Sequence, residues 1–135
     1  MRVLTFTAAG SHWALPVAQV QEVFEKARVE RLAMVSPAVA GVLDLRGQPV
    51  AAIDLSAMAG HGGGGGPRNA VVARHGDGVV ALLVDRIDTV LNADTSPRAA
   101  EETRAWVAAN IAGTALIDVE GLLADPAVAT EEDPA

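Results

Sequence analysis

Apolar residues in this chain recur mostly in alternation or in short unbroken blocks, and seldom at helical spacing. Leu4 and Phe6 alternate with Val3, Thr5 and Thr7 in a first strand, a turn at Gly10-Ser11 follows, and "HWALPV" (12–17) returns as a second, so a hairpin opens the chain. In "VAQVQEVF" (17–24) the spacing of Val17, Val20, Val23 and Phe24 predicts one short helical turn. Extended structure over "ARVERLAMV" (27–35) then ends at Ser36-Pro37. "GVLDL" and "PVAAIDL" (41–55) flank Arg46-Gly47 and predict two strands joined by a tight reversal, with Pro49 an awkward ladder member near the start of the second.

The run "HGGGGGPR" (61–68) is the clearest break, because successive glycines offer no side chain to pack and high backbone entropy. It predicts a flexible loop over 61–67 between two halves. "NAVVARH" (69–75) and "GVVALLVDRIDTVLN" (78–92) form a further hairpin, whose long return is divided by a bend near Asp85. Good helix formers in "RAAEETRAWVAANI" (98–111), with Ala99, Trp106 and Ala109 on one face, predict a helix. "TALIDVEGLL" (114–123) supplies a last strand and a short terminal turn, and 125–135 reads as a frayed acidic tail. Many short strands punctuated by Gly and Pro predict a mostly β protein of one or two small barrels.

Composition narrows the function. At 135 residues a single domain with a real core is the default, and aromatics at only 3% leave that core to small branched side chains. The absence of cysteine removes disulfides, thiol nucleophiles and cysteine-held metals, and fits a cytoplasmic setting. A net charge of −7 with ten scattered Lys and Arg argues against nucleic acid. No apolar stretch reaches the roughly 20 residues of a membrane span, and threonines interrupt "MRVLTFTAAG" as a signal peptide.

Candidate chemistry is sparse. The glycine run lacks the Gly-Lys-Ser/Thr of a phosphate loop, and His12, His61 and His75 lack metal-ligand spacing. Asp54, Asp85 and Asp88, as acidic residues at strand ends, are expected to bond backbone N–H groups of the next turn. None of Ser11, Ser36, Ser56 or Ser96 stands in a nucleophile elbow. Neither an enzyme nor a cofactor or metal site is expected.

The succession "FTAAGSHWALPVAQVQEVF" (6–24), "GVLDLRGQPVAAIDL" (41–55), "VVALLVDRIDTVL" (79–91) and "IAGTALIDVEGLL" (111–123) resembles the CheW-like domain of bacterial chemotaxis systems. The resemblance covers a single domain over 1–124. It implies two intertwined five-stranded SH3-like barrels and a non-enzymatic adaptor that couples methyl-accepting chemoreceptors to the histidine kinase CheA. It also implies receptor contacts at Val20, Glu22, Val23, Arg46 and Gly47, beside the groove between the barrels where the receptor's helical hairpin docks. An exposed Arg46 could make charge-assisted bonds to helix carbonyls or carboxylates; alternatively Val20 and Val23 are core, and Arg46 is a solvated turn residue. The chain departs from the family pattern at Asp44 (usually Asn), at Ala51 (usually Pro), and where "GTA" (113–115) runs directly into "LIDVEGLL". The last departure implies a second barrel short of a strand, and with it the alternative of a receptor-binding modulator that does not engage the kinase. Homodimerisation through an unpaired edge strand is a further option.

Overall fold

Three hairpins turn on an X-Gly pair in which both residues have positive φ: Ala9-Gly10 (55° and 73°), Arg46-Gly47 (49° and 88°) and Ala112-Gly113 (49° and 79°). That backbone gives a two-residue turn whose twist matches the flanking strands. The computed structural model describes residues 1–31, 36–61 and 68–128. The first hairpin joins β1 (Arg2–Ala8) to β2 (Ser11–Pro16), and a single 3-10 turn, Val17–Gln19, leads into β3 (Val20–Ala27) and β4 (Val29–Glu30). The second joins β5 (Val39–Leu45) to β6 (Gln48–Asp54), which runs into the short helix α1 (Leu55–Met58). β7 (Arg68–His75), β8 (Gly78–Val84), β9 (Arg86–Asn92) and β10 (Thr95–Ser96) follow, and the third hairpin joins β11 (Val107–Ile111) to β12 (Thr114–Ile117) ahead of α2 (Val119–Ala124).

Among the described residues the strands form two six-stranded sheets, ordered β10-β11-β12-β2-β1-β9 and β3-β7-β8-β6-β5-β4. The middle of the chain builds the second sheet and its two ends build the first, so the domain is interleaved as the two-barrel architecture requires. Each sheet contains one parallel pair, β12 with β2 and β6 with β8, among antiparallel ones. Among the described residues neither sheet is a strand short of the other; the brevity of the C-terminal half shows instead in β10 and β12, of two and four residues.

Packing follows from burial on both faces of β7 and β8, whose sequences are nearly continuous apolar runs for that reason. Val71, Ala73, Val80, Leu82 and Val84 face a core shared with Phe6, Trp13 and Leu15 of the first sheet. Ala70, Val72, Ala81 and Leu83 face the interior of the second barrel, with Leu43, Leu45, Val50 and Ala52. Val3, Ala14, Ile111 and Leu116 fill the first barrel. Residues 125–128 turn back over the shared core, where the Ala127 carbonyl accepts the Ala38 N–H at 2.9 Å. The tail beyond 128, residues 32–35 of the expected extended segment and residues 62–67 of the expected loop lie outside the described residues. No helix among the described residues is long and apolar enough to cross a membrane.

Two expected helical elements differ. The helical turn over 17–24 is confined to the 3-10 turn Val17–Gln19 and gives way to a strand from Val20 onward, and the helix over 98–111 is a set of turns followed by β11. In the second case Ala99 is exposed and the large apolar residues begin only at Trp106, so a helix would have had no stripe to bury. Arg98 instead bonds the Arg104 and Val107 carbonyls at 2.9 and 3.0 Å, and Trp106 stacks on Trp13 with ring centroids 5.2 Å apart. The Arg104 guanidinium lies 5.7 and 5.6 Å from the Trp13 and Trp106 ring centres.

The sheet edges are blunted. β4 and β10 have two residues each, β9 has a register shift opposite Thr5/Phe6, and β3 has two. Bulges and short edges oppose strand-to-strand association, which argues against homodimerisation by edge pairing.

Candidate protein-docking site

The β5–β6 turn is set by Asp44, whose Oδ1 accepts the Gly47 N–H at 2.7 Å. This holds Arg46 at the hairpin tip with its side chain 68% exposed. From there the guanidinium reaches β3 and makes a two-pronged pair with Glu22: Nη1 donates to Oε1 at 2.9 Å and Nη2 to Oε2 at 2.5 Å. In sheet order β7 and β8 lie between β6 and β3, a flat separation of roughly 14 Å at ordinary strand spacing. The pair therefore exists because the sheet curls into a barrel.

The hydrogen bonds from Arg46 lower the Glu22 carboxyl from its ordinary value; desolvation pulls it upward, and the charge of Arg46 and a hydrogen bond from Gln21 add to the lowering. The Arg46 pKa is raised by Glu22 in turn. Among the described residues Glu22 alone bonds the Arg46 side chain, which leaves three of five guanidinium N–H donors available.

Bulges decide which way β3 presents the remaining residues. Val20 lies opposite Ala73 and Glu22 opposite Val72, so Gln21 is the inserted residue. Cross-strand partners share a face. Val20 and Val23, opposite Ala73 and Val71, thus share the face toward the inter-barrel core, whereas Glu22 and Phe24, opposite Val72 and Ala70, face the second barrel. Val20 is half-buried against the shared core, and Val23 is 43% exposed, one of three exposed large hydrophobics among the described residues. The structure brings Glu22, Arg46 and Gly47 together and puts the two valines on the opposite face of the same strand. Past Gly47 the surface continues as an open groove of about 530 Å³, lined by Arg28, Val29, Glu30, Val42, Asp44 and Pro49.

The other candidates have structural work. Asp54 Oδ1 accepts the N–H groups of Ser56 and Ala57 at 3.0 and 3.4 Å, capping α1, and Oδ2 meets Arg68 at 3.4 Å. Asp85 accepts the Ala9 N–H, in a turn distant in sequence, at 3.2 Å. Asp88 accepts from Thr7 at 2.7 Å and Arg86 at 2.6 Å, with His12 Nδ1 3.8 Å away. Desolvation pulls the Asp88 carboxyl upward, but hydrogen bonds from Arg86 and Thr7 and the charges of Arg86 and His12 outweigh it and lower the pKa. Sequence reading missed the turn-setting role of Asp44, although Asp three residues before Gly is a signal for it.

The sequence model of one family, described as CheW-like domain, matches residues 2–126. Among solved structures, the chain is similar to the scaffolding protein TtCheW from Thermoanaerobacter tengcongensis. The two share 20% identity and a TM-score of 0.73, over 86% of each chain, which establishes a common fold. No curated protein matches it. With the family match running through both barrels and α2, the chain belongs to the CheW-like domain family.

Proposed function

We propose that this chain is a non-enzymatic adaptor of a bacterial chemosensory system, working in the cytoplasm at chemoreceptor arrays. It couples the signalling tip of methyl-accepting chemoreceptors to the regulatory domain of a CheA-type histidine kinase. The receptor docks on β3 and the β5–β6 tip, through Val20, Glu22, Val23, Arg46 and Gly47. The observation that carries this reading is the Glu22–Arg46 pair, preformed on the strand that also exposes Val23 on its other face. A paired guanidinium is already oriented, so a receptor helix meets fixed donors and loses less side-chain entropy than a free arginine would require. The valines supply apolar contact of the kind that anchors transient interfaces.

The bridging role is preferred over receptor-only modulation because the first sheet retains six strands among the described residues. Calorimetric titration with a receptor signalling fragment and, separately, with the kinase regulatory domain tests both. Binding to both partners is expected; receptor binding alone would favour the modulator, and binding to neither would reduce the likeness to one of fold. Arg46→Glu places two carboxylates where the pair stood. It is expected to weaken receptor binding at least tenfold with an unchanged circular-dichroism spectrum, and unchanged affinity would remove Arg46 from the site.

A further inference from the structure

Asp85 is the residue at which the chain leaves the second sheet for the first, between β8 and β9. All of its polar groups are engaged. Its N–H donates to the Thr7 carbonyl at 2.9 Å, and its Oδ2 accepts the Ala9 N–H at 3.2 Å. Its Oδ1 pairs with Arg68 Nη2 at 3.1 Å, and its carbonyl accepts from Asn69 Nδ2 at 3.2 Å. The first two partners belong to the β1–β2 hairpin, the last two to the start of β7. Arg68, only 11% exposed, is braced in turn by Asp54 and by Ser56 Oγ at 3.3 Å.

Asn69 also reaches the other way. Its Oδ1 accepts the Lys26 N–H at 3.1 Å, and Lys26 has a φ of 54°. The register passes from Phe24↔Ala70 to Ala27↔Arg68, so Lys26 sits in a bulge and has no ladder partner. One amide side chain, donor at one end and acceptor at the other, links the strand that carries Glu22 and Val23 to the crossing between the barrels.

We propose that Asn69 is a positioning residue for partner docking: with Asp85 it fixes β3 relative to the first barrel and so sets the spacing between the Val20–Val23 face and the barrel opposite. The functional half of this inference rests on the docking reading above; the geometric half does not.

The full chain has no cysteine, so paired spin labels can be introduced cleanly through Gln48→Cys on the second barrel and Asn92→Cys on the first, both exposed. Inter-barrel distances in the labelled proteins, and Lys26 amide exchange and affinity for a receptor signalling fragment in the unlabelled ones, are then measured for the parent, Asn69→Ala and Asn69→Asp. Asn69→Asp retains an acceptor for Lys26 but loses the donor to Asp85. It is expected to keep Lys26 exchange near the parent rate while the distance distribution broadens. Asn69→Ala is expected to broaden the distances and also accelerate Lys26 exchange about tenfold, the factor lost with one ordinary hydrogen bond. Both should bind the receptor fragment about tenfold more weakly. Parent-like distance distributions in both variants overturn the proposal, including the case where affinity falls only in step with melting temperature. A parent that does not bind the fragment overturns the docking reading, and the distance and exchange measurements still decide the geometric half.

Discussion

Replacing Gly41 by alanine tests how tightly the second barrel closes. Gly41 lies in β5 with a φ of 151°, and an added Cβ would overlap the Glu30 carbonyl oxygen while standing 2.9 Å from its carbonyl carbon and 3.1 Å from Arg31 Cα. All three atoms are backbone, so no side chain can swing aside; relief requires β4 to move off β5. A backbone conformation that only glycine adopts freely costs an alanine about 1–3 kcal/mol. Displacing β4 weakens the Val29↔Leu43 and Glu30↔Val42 pairing, at about 1 kcal/mol for each hydrogen bond lost. The expected total is about 2–4 kcal/mol. For a chain of this size that lowers the melting temperature by roughly 6–20 °C, at about 3–5 °C per kcal/mol. Gly60→Ala is the control: its φ of 88° is also unfavourable for alanine, but nothing lies within 4 Å of the added atom. That substitution should cost only about 1–2 kcal/mol. Urea denaturation of both variants gives the comparison, and a Gly41→Ala no less stable than Gly60→Ala would refute the clash.

Two further outcomes follow from the core and from the charges. Trp106, 1% exposed, is expected to cost about 3–5 kcal/mol when truncated to alanine, read by urea denaturation; the emission of Trp13, the remaining tryptophan, should shift to the red as its stacking partner is lost. Glu22 and Asp88 have folded-state pKa values below their ordinary 4.5 and 3.8, so both stabilise the fold above those values. That contribution is lost as pH falls through the lowered values, and Arg46→Gln should move the Glu22 titration back toward 4.5 in carboxyl-resolved NMR.

Much of the fold was legible because its strands alternate cleanly and its turns carry glycine: β1–β2, β5–β6 and β7–β8 fall where the pattern puts them. β3 was misread for a specific reason. A bulge adds one residue to a strand, and the one at Gln21 sets Val20 and Val23 three apart on one face, while Phe24, apolar on the other face, falls four residues from Val20. Val20, Val23 and Phe24 therefore imitate a helical face. Over 98–111 the error was to weigh propensity without asking what a helix there would bury. A likeness between the two halves also went unread: Ile53-Asp54-Leu55 and Ile117-Asp118-Val119 each end a strand that follows an X-Gly hairpin and each open a short helix.

The docking surface was less legible than the fold. An arginine at a turn tip can be seen in the sequence, but its pairing with Glu22, 24 residues away, depends on barrel curl. The resemblance named both residues without joining them. The joining raises a question that the single variant Arg46→Glu leaves open, because that change removes a partner contact and an internal pair together. The charge swap Glu22→Arg with Arg46→Glu separates the two. It rebuilds an ion pair across the barrel mouth with the sign of each member reversed, so the hairpin tip and β3 are again held together. If the pair acts only by holding that geometry, receptor affinity returns toward the parent value. If the Arg46 donors are what the receptor reads, affinity stays as low as in the single variant, since a carboxylate at the tip has no N–H to offer. The second result is expected, and titration of the receptor fragment against parent, single and swapped proteins decides it; recovery in the swap would move the role of Arg46 from recognition to architecture.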